Sequence, residues 1–139
     1  MDTLPVVIGR ALRTAVDGST VVHGGDVAQA FRFDLADGRC VFAKTHPDPP
    51  AGFFTTEANG LRWLRDAGAV AIPEVLAVSD GSRDEPPYLV LGWIDTGQPG
   101  PRTEPELGRA LAQLHRSTPT CLGREDRRTT GSRGIPNEP

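Results

Sequence analysis

The sequence lacks any apolar run that approaches the roughly 20 residues a membrane-spanning helix requires. Its amino terminus also lacks the basic start and the long apolar centre of a secretory signal, and it carries an acid at Asp2. We therefore expect a cytoplasmic protein without a membrane partner.

Positive charge is not in excess, because 15 Lys and Arg residues face 18 Asp and Glu residues and the formal net charge is −3. Nucleic-acid-binding domains usually carry a basic surface, so no nucleic-acid partner is expected. Cysteine is scarce as well. Cys40 and Cys121 lie far apart and outside any metal-ligand spacing, which favours unpaired thiols and predicts no metal site in this chain.

Strand patterns are present through the first two thirds of the chain. A β-branched run at residues 20–22 precedes the pair Gly24-Gly25, and apolar and polar residues alternate from Ala28 to Leu35. Asp37-Gly38 is a hairpin turn signal that leads into "CVFAKT". These segments predict a three-stranded antiparallel meander, and "IPEVLAVS" and "PYLVLGWI" predict two further strands separated by a polar loop.

Helical spacing predicts a leading helix in "PVVIGRALRTAV" and a second helix over residues 55–67 with a threonine cap. A third helix is predicted from a capping box, Thr103 to Glu106, followed by an apolar stripe that includes Leu107 and Leu111. The resulting fold class is α+β, with a five-stranded antiparallel sheet and one helix packed on it.

The lysine at the end of the third predicted strand raises a chemical question. Because side chains alternate along a strand, Cys40, Phe42 and Lys44 share one face, so Phe42 could cover an adenine ring while Lys44 reaches phosphates. Glu57, thirteen residues later on the predicted helix, is the expected counter-charge for Lys44. We predict that these two charged residues form an ion pair.

A glycine loop and a strand end complete the predicted nucleotide site. Gly24 and Gly25 would let backbone N–H groups approach a triphosphate, and Asp26 belongs to the same loop, as a loop cap rather than a metal ligand. At the end of the fifth strand, Leu91 is expected behind the adenine. The hinge that follows consists of Gly92, Trp93 and Ile94, of which Gly92 and Ile94 would offer backbone groups to the base.

Each of these residues also has a simpler interpretation. Lys44 could be an edge-strand charge that prevents aggregation, and Glu57 could be a solvated acid favoured by the helix dipole. The glycine pair could be an ordinary turn, and Trp93 could serve packing alone. It is the order of the segments along the chain that favours the nucleotide interpretation.

The segments "GGDVAQAFRF", "VFAK", "TTEANGLRWL", "IPEVLAV", "YLVLGWIDTG" and "LGRALAQLHR" together resemble the amino-terminal half of the fructosamine kinase (ketoamine 3-kinase) family. The resemblance covers about residues 20–137. It implies a protein-kinase-like amino-terminal lobe over residues 1–98, a linker and the first helix of a second lobe over 99–116, and a loop or disordered tail over 117–139. It also implies Lys44 and Glu57 as the catalytic pair of the lobe.

The family reaction implied by the resemblance is transfer of a phosphoryl group from ATP to a sugar hydroxyl of a ketoamine, which begins protein deglycation. The general base and the Mg²⁺ ligands of such kinases lie in a carboxyl-terminal lobe with a His-Gly-Asp motif, which this sequence does not contain. We therefore expect ATP as the ligand, Mg²⁺ ligands elsewhere, and little activity from this chain alone.

Two alternatives stay open on the sequence. The chain could be a non-catalytic lobe that acts through a partner or through self-association by an exposed inter-lobe face. It could also be the corresponding lobe of an aminoglycoside or choline kinase, because most acceptor contacts would lie outside these residues.

Overall fold

The structure is a computed structural model that describes residues 3–24, 27–117, 128–130 and 133–135. At its centre is a five-stranded antiparallel sheet with the strand order β1-β2-β3-β5-β4. The strands are β1 (Val16–Val22), β2 (Gln29–Leu35), β3 (Cys40–Thr45), β4 (Val75–Ser79) and β5 (Tyr88–Gly92). The predicted five-stranded antiparallel sheet is thereby confirmed.

The register of the sheet fixes which side chains share a face. The β2–β3 hairpin turns at Asp37-Gly38, where Gly38 has a φ of 85° that a residue with a Cβ rarely adopts. On β3, Phe42 pairs with Leu91 of β5 and Lys44 pairs with Leu89. Because directly paired residues point to the same side, all four side chains lie on one face of the sheet.

Helix α1 (Leu4–Leu12) covers the opposite face. Val7 and Ile8 are buried there against side chains of β2, β3 and β5, which are Phe33, Leu35, Val41, Ala43, Tyr88 and Val90. The helix ends earlier than predicted because Arg13 adopts a left-handed conformation with φ 57°. Val16, expected at the end of this helix, is instead the first residue of β1. The sheet thus has a packed helix on each face, where the sequence indicated one.

Helix α2 (Phe53–Asp66) packs on the face that carries Lys44. Phe53, Phe54 and Ala58 are buried against Leu89 and Leu91. The helix begins two residues before the predicted start, and its N-cap is Gly52, which has no side chain to cap the first turn. Residues that cap this helix therefore come from elsewhere in the fold.

Helix α3 (Thr103–Arg116) has no buried residue, and Leu107 and Leu111 are 51% and 41% exposed. The predicted capping box is not formed, because Thr103 is the first helical residue and its hydroxyl accepts a hydrogen bond from the N–H of Gly100. Two short paired strands, β6 (Arg128–Thr130) and β7 (Arg133–Ile135), occur in the segment predicted as loop or disorder. Within the described ranges, no helix is long and apolar enough to cross a membrane.

Candidate functional site

An ion pair lies between the sheet and α2. The Nζ of Lys44 donates hydrogen bonds to both carboxylate oxygens of Glu57, at 2.8 Å to Oε1 and 2.9 Å to Oε2. The side chains are 25% and 33% exposed. The predicted ion pair is therefore present, although Lys44 and Glu57 are thirteen positions apart and belong to different elements.

The geometry of this pair leaves room for an anion. An ammonium group has three N–H donors, and Glu57 occupies two of those of Lys44. Because both side chains are partly exposed, a ligand oxygen can approach the third donor from solvent. Lys44 is also the only lysine in the sequence. Any chemistry that requires a primary amine on a side chain must therefore use this residue.

An apolar cleft of about 320 Å³ opens on the same face of the sheet. Its lining consists of Val22, Phe42, Pro73, Leu91, Gly92, Trp93 and Ile94. The volume is at the lower end of the range for small-molecule sites, and the apolar lining suits a flat aromatic ring. Phe42 precedes Lys44 by two residues, which places the cleft about 7 Å along the strand from the ion pair.

The predicted hinge forms one end of this cleft. Leu91 is buried, whereas Ile94 is 58% exposed at the rim. The N–H of Gly92 donates to the carbonyl of Glu74 at 2.9 Å. Any contact of Gly92 with a base must therefore use its carbonyl oxygen, and its N–H does not contribute as a donor.

The predicted glycine loop is described only in part. Gly24 has a φ of 136°, so a side chain there would be strained although a Cβ would meet no neighbouring atom. Gly25 and Asp26 lie outside the described residues. The structure therefore places Gly24 just after β1, and the roles of the three loop residues stay predictions.

Residues 6–138 match the family model described as "Fructosamine kinase". The chain belongs to the fructosamine kinase family. It is 36% identical over 102 residues to a "probable ketoamine kinase" of Enterococcus faecium, an alignment that covers 73% of this chain and 34% of that protein. It is also 36% identical over 113 residues to a "probable ketoamine kinase" of Thermus thermophilus, with coverages of 81% and 37%. The chain thus spans about a third of the length of these relatives.

Solved structures show the same architecture. A "putative fructosamine-3-kinase" from Thermobifida fusca superimposes with a TM-score of 0.84 at 24% identity, over all of this chain and 47% of that one. A second from Haemophilus somnus gives a TM-score of 0.80 at 18% identity, over 94% and 46% of the two chains. At these identities the likeness concerns the fold, which is kinase-like and corresponds to the amino-terminal lobe.

The cleft of this fructosamine kinase family member has a polar border that we did not predict from the sequence. The guanidinium of Arg32 lies over the indole ring of Trp93, with Cζ 5.1 Å from the ring centroid. Arg32 also contacts Asp34 Oδ1 at 3.0 Å and donates to the sulfur of Cys40 at 3.1 Å. Trp93 in turn donates from Nε1 to Asp95 at 3.0 Å. Trp93 is therefore held between Arg32 of β2 and Asp95, which follows Trp93 by two residues.

Hydrogen bonding and charge in this border alter its acid–base behaviour. The Cys40 thiol donates to Asp34 Oδ1 at 3.1 Å, and this bond, together with the charge of Arg32, lowers the pKa of Asp34 from its ordinary value of 3.8. The hydrogen bond to Cys40 and the charge of Asp34 raise the pKa of Arg32 above its ordinary value. Both groups are therefore charged at neutral pH. A local signal for this cluster existed in the alternation of Arg32 and Asp34 on β2, but the contact with Trp93 depends on the hinge path.

One His-x-Asp triplet, His46-Pro47-Asp48, lies between β3 and α2 and could be taken for part of a kinase catalytic loop. The Nδ1 of His46 accepts a hydrogen bond from the backbone N–H of Asp48 at 3.0 Å, and the ring contacts Phe53. These contacts give His46 a structural role in the connection.

In the part of the chain that the structure describes, no three or more His, Cys, Asp or Glu side chains come together as a metal site.

Proposed function

We propose that this chain is the ATP-binding lobe of a ketoamine kinase. The observation that carries the proposal is the Lys44–Glu57 ion pair beside an apolar cleft on the same face of the sheet. In this proposal the Lys44 ammonium binds phosphate oxygens, and Glu57 fixes its position. Such pairing matters because a long lysine side chain would otherwise lose conformational entropy when it binds the phosphate.

The adenine ring would occupy the cleft between Phe42 and the hinge. Phe42 and Leu91 supply apolar contact, and the backbone of the hinge supplies hydrogen bonds, of which Gly92 can offer only its carbonyl. Gly24 would allow the loop after β1 to approach the phosphates. Gly25 and Asp26 lie outside the described residues, and their predicted contribution to phosphate binding stays part of the proposal.

The reaction proposed for the whole protein is phosphoryl transfer from ATP to a sugar hydroxyl of a ketoamine. The family match favours this acceptor class over an aminoglycoside or choline. Transfer requires a general base, and Mg²⁺ must neutralise charge on the phosphates. Neither a His-Gly-Asp motif nor, in the described residues, a metal cluster is present here, so we propose that these groups lie outside the 139 residues.

The test is a titration with a non-hydrolysable ATP analogue, followed by the fluorescence of Trp93 in a Trp63→Phe background. Lys44→Met should weaken binding about tenfold to a hundredfold, because it removes charge-assisted hydrogen bonds worth about 1.5–3 kcal/mol. Arg39→Met is the matched control, since Arg39 is a cation on the same hairpin that pairs with Asp37 outside the cleft. Equal binding by the wild type and Lys44→Met would contradict the proposal.

A second candidate function is self-association through α3. Its apolar stripe is exposed at Leu107 and Leu111, and a largely apolar cavity of about 440 Å³ lies between the carboxyl-terminal ends of α2 and α3. Apolar surface of this kind often forms interfaces. Light scattering should then show a concentration-dependent increase in mass that Leu111→Glu abolishes, whereas a constant monomer mass would rule it out.

A further inference from the structure

The loop between β4 and β5, residues 80–87, contacts the amino terminus of α2. The carboxylate of Asp80 accepts hydrogen bonds from the backbone N–H groups of Phe54 at 3.0 Å and Thr55 at 3.2 Å. The hydroxyl of Thr55 also donates to Asp80. Since Gly52 offers no side-chain cap, this helix is capped by Asp80, which lies 25 positions after Thr55 along the chain.

The same loop also contacts β3 beside the lysine. The hydroxyl of Thr45, the residue after Lys44, donates to the carbonyl of Pro87 at 2.7 Å. The loop therefore holds the strand residue next to Lys44 at one end. At its other end it holds the helix turn that leads to Glu57.

The conformation of the loop is tightly constrained. Gly81 follows Asp80 with a φ of 83°, and a Cβ there would lie 2.9 Å from the backbone nitrogen of Pro87. The N–H of Gly81 donates to the Ser79 hydroxyl, and the N–H of Ser82 donates to the carbonyl of Glu85. The two contact points of the loop are thus held at a fixed separation.

The geometry points to Asp80 as a positioning residue for the Lys44–Glu57 ion pair. Its carboxylate satisfies two N–H groups in the first turn of α2 and interacts favourably with the positive end of the helix dipole. Glu57 follows Thr55 by two residues, so the anchoring of that turn determines where its carboxylate lies. The role of Asp80 in positioning the ion pair does not depend on the proposed function. Only the expected effect on nucleotide affinity rests on it.

The ion pair can be observed directly without nucleotide, because Lys44 is the only lysine in the sequence. In the chain labelled with ¹⁵N-lysine, the side-chain ammonium gives a single NMR resonance. Asp80→Ala should move this resonance toward its position in Glu57→Gln. Asp80→Asn, which keeps an acceptor oxygen, should move it less, and Thr55→Val should have a smaller effect still.

Two controls separate positioning from general destabilisation. Asp84→Ala removes a carboxylate from the same loop, where the N–H of Asp84 donates to the Ser82 hydroxyl, and Ile8→Val weakens the core on the opposite face. Both should leave the Lys44 resonance in place. The inference is overturned if a folded Asp80→Ala protein keeps the wild-type resonance, or if Ile8→Val moves it as far.

Nucleotide binding then tests the consequence. Asp80→Ala should weaken affinity for the ATP analogue about 3- to 10-fold, in line with the loss of a helix cap. Lys44→Met should cost less affinity in the Asp80→Ala background than in the wild type, because part of the lysine's contribution is already lost. Additive losses would contradict the positioning role. If the wild type binds no nucleotide, the proposed function fails, while the Lys44 resonance still decides the role of Asp80.

Discussion

The two faces of the central sheet use the same strands for different purposes. On β3 and β5, the residues Val41, Ala43, Tyr88 and Val90 point toward α1 and form a closed apolar core. Their neighbours Phe42, Lys44, Leu89 and Leu91 point toward α2, where a core continues into an ion pair and an open cleft. Because side chains alternate along a strand, the same sheet provides a stable core on one face and a candidate binding site on the other.

The largest expected effect comes from removing one buried phenylalanine on each face. Phe33 on the α1 face and Phe54 on the α2 face are both almost fully buried. Each Phe→Ala substitution should lower the free energy of unfolding by about 3–5 kcal/mol, as measured by urea denaturation. In addition, the Phe54→Ala molecules that remain folded should bind nucleotide more weakly, because Phe54 anchors the helix that carries Glu57.

If an alanine variant fails to fold, Phe33→Leu and Phe54→Leu give the same comparison with a smaller loss of stability. An equal loss of nucleotide affinity in the Phe33 and Phe54 variants would mean that the two faces are not functionally distinct.

Glu57→Gln tests the α2 face of the sheet with little effect on the core. The substitution preserves shape and removes the charge that holds Lys44. Nucleotide affinity should fall, whereas stability should change by less than about 1 kcal/mol because the pair is partly exposed. Glu106→Gln, which removes the exposed partner of Arg102 in α3, is the matched control and should change neither quantity appreciably.

The α1 face should show its own sensitivity at alkaline pH. Burial of the Tyr88 side chain, together with the charge of Glu85, raises the pKa of Tyr88 above its ordinary value of 10.0. The neutral phenol therefore stabilises the fold fully below pH 10.0, and this contribution is lost as pH rises through the higher folded-state value. Tyr88→Phe should reduce the fall in stability from about pH 9 to about pH 11 in urea titrations. An unchanged pH dependence would contradict this assignment.

The smallest expected effect is on stability at acidic pH, and it concerns Asp34 on the α2 face of the sheet. The pKa of Asp34 is lowered, first by the Cys40 hydrogen bond and then by the charge of Arg32. Its carboxylate therefore adds stability above its ordinary value of 3.8, and this is lost as pH falls through the lower folded-state value. Asp34→Asn should lose less stability than the wild type from about pH 5 to about pH 2. Because the Asp34 side chain is 47% exposed, solvent screens its interactions, and a large difference would be inconsistent with this geometry.

The sequence predicted those parts of the molecule that depend on local pattern. Alternation in β2 and β3 indicated their faces, and the Asp37-Gly38 turn indicated their pairing. The position of Lys44 at a strand end and of Glu57 on a helix was enough to predict their contact. In each case the informative pattern spans only a few residues, or the two residues concerned belong to consecutive elements joined by a single connection.

Other features depend on contacts between distant segments. Asp80, which directly follows β4, caps α2, and this helix begins before the threonine that was predicted to cap it. The stacking of Arg32 on Trp93 depends on the path of the hinge after β5. The left-handed conformation of Arg13 ended α1 early, although the residues that follow it fit a helical pattern. Local patterns could not reveal these features because their causes lie in tertiary packing.

The most direct test of the central claim is protection of Lys44 by nucleotide. An amine-reactive reagent can modify only Lys44 and the terminal α-amino group, since the sequence has no other lysine. An ATP analogue at about ten times its dissociation constant should slow modification of Lys44 about tenfold and leave the α-amino group unaffected. Modification of Lys44 at the same rate with and without nucleotide would contradict a phosphate-binding role for this residue.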